Sequence, residues 1–122
     1  MSSISTHVLD TVLGRPAAGV SVQLDRLLGG VGWSSEGTRD EAAQWIAIST
    51  GASDADGRCR ALKTDAAPGF YRLTFNVGAY LKALGRSSIY PEVSITFECD
   101  GATNYHLPLL LSDNSYTTYR GS

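Results

Sequence analysis

The chain has 122 residues, 43% hydrophobic and 18% charged, with 13 glycines, a mixture too apolar for disorder and too glycine-rich for a helical bundle. Ten lysines and arginines stand against 12 aspartates and glutamates, a net charge of -2, and no basic run could neutralise a row of phosphates, which argues against a nucleic-acid partner. The longest apolar run, Leu107 to Leu111, falls far short of the roughly 20 residues that cross a bilayer, so one soluble domain, 1–122, is expected, with no membrane contact.

Met1 to His7 lacks the basic and apolar regions of a secretory signal, which points to the cytoplasm. The last residues are not Ser-Lys-Leu, so peroxisomal entry, the alternative compartment, would need another signal. Two cysteines, Cys59 and Cys99, read as free buried thiols in a reducing compartment.

The first predicted strand puts Ile4, Thr6 and Val8 on one face and Ser5, His7 and Leu9 on the other. Gly14-Arg15-Pro16 breaks the chain, and a second strand follows, in which Val20, Val22 and Leu24 alternate with Ser21, Gln23 and Asp25 up to Leu28. Residues 29–44 carry four glycines and mixed charge and read as a long loop, with one helical turn over Arg39 to Gln44. Trp45 to Ser49 is strand-like, and Asp54-Ala55-Asp56-Gly57 has the turn chemistry for a hairpin into a short strand from Arg58 to Leu62. Tyr71, Leu73, Phe75 and Val77 form the buried row of the next strand, and helical spacing then runs from Gly78 to Gly85. Val93 to Phe97, Tyr105 to Leu111 and Ser115 to Arg120 complete about eight strands. Many short strands with alternating faces and one short helix predict an all-β antiparallel sandwich. Pro108 cannot donate to a ladder, so its strand needs a free side at that point.

His7 and His106 are the only histidines, and both fall opposite the apolar row of their strands, so both imidazoles point out of the sandwich. On periodicity alone they could be surface residues without a role. Arg58, just past the Asp56-Gly57 turn, offers a planar fork of donors for carbonyl or anionic oxygens, a fit that lysine lacks. Tyr116 to Ser122 is β-prone and rich in hydrogen-bonding groups. There is no Gly-x-Ser-x-Gly elbow, phosphate loop or Cys-x-x-Cys, and two histidines are too few for a single-chain zinc site, so neither a cofactor nor a metal is expected.

Ile4-Ser5-Thr6-His7-Val8-Leu9-Asp10, Asp56-Gly57-Arg58-Cys59, Tyr90-Pro91-Glu92-Val93, Tyr105 to Ser112 and the ending Tyr119-Arg120-Gly121-Ser122 together resemble the 5-hydroxyisourate hydrolases of the transthyretin-like proteins. Ser53-Asp54 and the long 29–44 loop depart from that pattern. The resemblance implies a transthyretin-like fold and a homotetramer built as a dimer of dimers, with active sites in the channel between dimers. It also implies cofactor-free hydrolysis of 5-hydroxyisourate, an intermediate of urate degradation, by water attack on a ring carbonyl. It carries His7, Arg58, His106 and Ser122 over as the catalytic set, with Tyr119 and Arg58 on the substrate. The alternative is a non-enzymatic transthyretin-like carrier of a small molecule, which is expected to lack the paired histidines, the turn arginine and the Tyr-Arg-Gly-Ser ending.

Overall fold

A computed structural model describes residues 1–29 and 32–121. Its strands are β1 (Ser2–Asp10), β2 (Arg15–Pro16), β3 (Ser21–Leu28), β4 (Gln44–Ala52), β5 (Arg58–Ala66), β6 (Gly69–Phe75), β7 (Val93–Cys99), β8 (Tyr105–Leu111) and β9 (Tyr116–Thr118), with one helix, α1 (Val77–Ala83), between β6 and β7. They form two sheets. One runs β2-β1-β8-β9, with β5 also paired to β1; the other runs β4-β3-β6-β7. The expected sandwich is therefore present.

Period-two alternation fills the space between the sheets. In β1 every second residue from Ser2 to Asp10 is buried, while Ser3, Ser5, His7 and Leu9 are half-exposed on the other face. Ile4 and Val8 meet Leu24, Leu73, Phe75, Leu109 and Leu111, all nearly or fully buried, and burial of such side chains is the main stabilising term of the fold. Both cysteines lie in this core as free thiols, and burial pushes that of Cys59 above its ordinary value.

Three expectations need correction, and each misses a long-range choice or a boundary. The pairing of β1 with β8 is parallel, in the register Ile4↔Tyr105 to Asp10↔Leu111, whereas the other strand pairs are antiparallel. Alternation has the same period in both orientations, so it could not reveal this. The Asp54–Gly57 turn is tight, but the strands it joins are not a hairpin: β4 pairs with β3 in one sheet and β5 with β1 in the other. Residues 39–44 contain no helical turn; the Ala43 amide donates to the Asp40 carbonyl in a turn that leads straight into β4.

Helix α1 begins at Val77 because the Asn76 side chain accepts from the Ala79 amide, and Leu81 and Val77 are its buried residues. Behind it, the buried Asp10 carboxylate accepts from the Tyr80 hydroxyl, the Val12 and Leu13 amides and the Arg86 guanidinium, which also engages Asp113. Burial alone would raise the Asp10 pKa, but these donors hold it below the ordinary carboxylate value. This cluster ties the end of β1 to the helix and to the turn after β8.

Pro108 finds the free side its chemistry requires. β9 pairs only with Leu109 to Leu111, and the next contact is the bridge from His106 to Gly121. Between them, the Thr118 hydroxyl donates to the Pro108 carbonyl at 2.7 Å. The chain thus leaves the ladder where the proline could not have donated.

Candidate active site

The outward face of β5-β1-β8 collects the residues singled out above. On one side of β1, His7 is paired with Arg58 of β5. On the other side, parallel pairing sets Ser5 beside His106 and His7 beside Pro108. The two imidazole rings are 6.4 Å apart between centres, tilted at 37°. A cleft of about 220 Å³ opens beside them, lined by Ser5, Thr6, Arg58, Arg60 and His106.

Each member is held by local structure. Gly57 has φ +78°, a conformation that L side chains rarely adopt, and a Cβ there would lie 2.3 Å from the Val8 carbonyl oxygen. Glycine at this position lets the turn press against β1, where the Val8 amide donates to the Gly57 carbonyl at 2.7 Å. The Asp54 carboxylate accepts from the Arg58 and Asp56 amides, and these contacts, the Arg58 amide foremost, hold its pKa down against desolvation. The Asp56 carbonyl then lies 2.8 Å from His7 Nε2. A carbonyl can only accept, so His7 carries a proton on Nε2, and in the neutral ring the free lone pair is on Nδ1.

His106 is held differently. Its Nδ1 is 2.9 Å from the Ser5 hydroxyl, which can donate or accept. Burial, with the nearby charges of His7 and Arg58, pushes its pKa below the ordinary imidazole value, so His106 is neutral at neutral pH and able to accept a proton. The Gly121 amide donates to the His106 carbonyl at 2.7 Å, and a Cβ on Gly121 would come within 2.9 Å of the imidazole Cδ2. The final described residue therefore packs directly against this histidine.

Of the sequence-predicted residues, His7, Arg58 and His106 converge. Tyr119 is 52% exposed, and Ser122 lies outside the described residues. Arg120 faces elsewhere: its guanidinium stacks 4.2 Å over the Tyr105 ring and donates to Thr103 Oγ1 and the Asn104 carbonyl, so it anchors the end of the chain. Sequence reasoning missed Ser5 and Arg60. Both stand two positions from a chosen residue in a strand, Ser5 before His7 and Arg60 after Arg58, so period two could have found them. A larger depression, about 470 Å³, lies near the end of α1 beside Lys82, Arg86 and Ile89, but no histidine or carboxylate lines it. Among the described residues no group of three His, Cys, Asp or Glu side chains could hold a metal, and no helix is long and apolar enough to cross a membrane.

The sequence model of the HIUase/Transthyretin family matches residues 4–121. The 5-hydroxyisourate hydrolase of Mus musculus is 41% identical, over 99% of this chain and 96% of the mouse protein. The solved structure of Klebsiella pneumoniae 5-hydroxyisourate hydrolase superposes with a TM-score of 0.80 at 33% identity, covering 100% of both chains. Transthyretin from Sparus aurata gives a TM-score of 0.81 at 29% identity, over 99% of this chain and 97% of the other.

Proposed function

The chain belongs to the HIUase/Transthyretin family, and on that premise we propose that the cleft beside His7, Arg58 and His106 is where it hydrolyses 5-hydroxyisourate. The product is 2-oxo-4-hydroxy-4-carboxy-5-ureidoimidazoline, formed when water adds to a ring carbonyl and the carbon–nitrogen bond opens. The observation that carries the assignment of the site is the convergence of these three side chains, distant in sequence, on one face of three adjacent strands. Backbone similarity alone would not separate the hydrolase from transthyretin, since both superpose equally well.

In the mechanism, His106 is the base. Neutral because it is partly buried beside two other basic groups, it takes a proton from the attacking water. Arg58 donates to the carbonyl oxygen as negative charge builds there in the tetrahedral intermediate. His7, its Nε2–H held by the Asp56 carbonyl, supplies a proton from Nδ1 in its imidazolium form to the departing ring nitrogen. The carbon–oxygen bond forms, the carbon–nitrogen bond breaks and the new carboxylic acid loses its proton, so no cofactor is needed to balance the step. Ser122, which follows Gly121 in the sequence, orients water or substrate through its hydroxyl, and Tyr119 bounds the substrate. The working form is a homotetramer, a dimer of dimers, whose neighbouring subunit closes a cleft that is open in the single chain. The cytoplasm is the proposed compartment.

The test is the ultraviolet decay of 5-hydroxyisourate freshly made by urate oxidase. The protein should accelerate the decay, and His106→Ala should lose about 10²-fold or more of that acceleration. A folded protein without acceleration would overturn the site and favour a small-molecule carrier.

A further inference from the structure

Ring opening converts a neutral amide carbonyl into a carboxylate, and the mechanism above provides one permanent cation, Arg58, for two product oxygens. The cleft holds a second. Arg60 lies two residues beyond Arg58 in β5 and lines the same cleft, together with Ser5 and His106. The two arginines flank different parts of the site: Arg58 pairs across to His7, whereas Arg60 lies further along β5. Among the described residues neither guanidinium forms an ion pair. The nearest acidic influence is Asp54, whose carboxylate is engaged by the Arg58 and Asp56 amides.

We propose that Arg60 is a carboxylate-binding residue of this cleft, sharing the product carboxylate with Arg58. The proposal rests on the hydrolase reading of the cleft. Water activated by His106 delivers an oxygen that becomes anionic inside the cleft that His106 lines together with Ser5, Arg58 and Arg60. A guanidinium suits the role because its donors are coplanar and its charge is permanent. Such a group discriminates by charge: it favours a ligand with a carboxylate over the same ligand with a neutral amide.

The probe is N-carbamoylglycine, a stable ureido carboxylate, compared with its neutral amide as a competitive inhibitor of 5-hydroxyisourate turnover. Arg60 is exposed, so solvent screens its charge, and the expected gain is modest. The wild type should bind the carboxylate about fivefold more tightly than the amide, a preference that weakens as salt rises. In Arg60→Gln the preference should fall to the part that Arg58 alone supplies while amide binding is retained, and Arg60→Lys should restore part of the loss. An equal carboxylate-to-amide ratio in the wild type and Arg60→Gln would overturn the proposal, as would a wild type with no preference. If the wild type fails to turn over 5-hydroxyisourate, the hydrolase reading fails instead, and the two failures are distinct.

Discussion

His106 ties its environment to a measurable pH dependence. Burial and the positive groups around it favour the neutral ring, so the folded protein keeps this base unprotonated at a pH where a free imidazole, with a pKa of about 6.5, would be protonated. As pH falls, activity should persist until His106 takes up its proton. The acidic limb of kcat/KM should therefore be half-maximal below about pH 6.5. A limb above that value would mean that another group is the base. Ser5 works at the same scale: its hydroxyl on His106 Nδ1 restricts the ring and leaves Nε2 outside that contact. His7 is oriented by a backbone carbonyl, a contact no side-chain motif announces.

Among the elements, the Asp54–Gly57 turn does the most for the site. It connects strands of different sheets, presents the carbonyl that holds His7 and starts β5 at Arg58. Gly57→Ala would force a side chain into a left-handed conformation and drive its Cβ into the Val8 carbonyl. The expected loss is about 2 kcal/mol or more in denaturant unfolding, with activity falling further than stability because His7 and Arg58 move together. Equal stability and activity in the variant would mean that the turn has no such role. The turn was readable in the sequence because its Asp and Gly chemistry is local. Its role as a crossing between sheets was not, since the partner of a strand is chosen by residues far away in the chain.

For the whole molecule, the question is what covers the outward face of β1 and β8. The cleft there is open, and Val12 and Leu13, in the turn after β1, are 57% and 42% exposed. Large apolar side chains left in solvent at the end of the strand that carries Ser5 and His7 fit a surface that another subunit covers. Sedimentation should therefore find a tetramer, and Val12→Glu with Leu13→Glu should shift it to smaller species and lower activity in parallel. A wild-type monomer with full turnover would overturn the assembly. In the described part of the 29–44 segment, Trp33 packs against Phe70, 4.7 Å between ring centres, on the other sheet.

The sequence by itself determined the buried rows of β1, β6 and β8, because hydrophobic alternation is a property of neighbouring residues, and it put His7 and His106 on outward faces for the same reason; in β3 the irregularity at Leu24 and Asp25 turned Asp25 inward against that alternation. It determined the turn before Arg58 and the interruption at Pro108, since glycine φ and the missing proline donor act on the spot. Only the tertiary structure decided that β1 lies between β5 and β8, parallel to one and antiparallel to the other. That arrangement sets Ser5 against His106 and brings Arg58 and Arg60 to the same cleft. Strand partners are selected by burial across the whole sandwich, a long-range balance that no local pattern encodes.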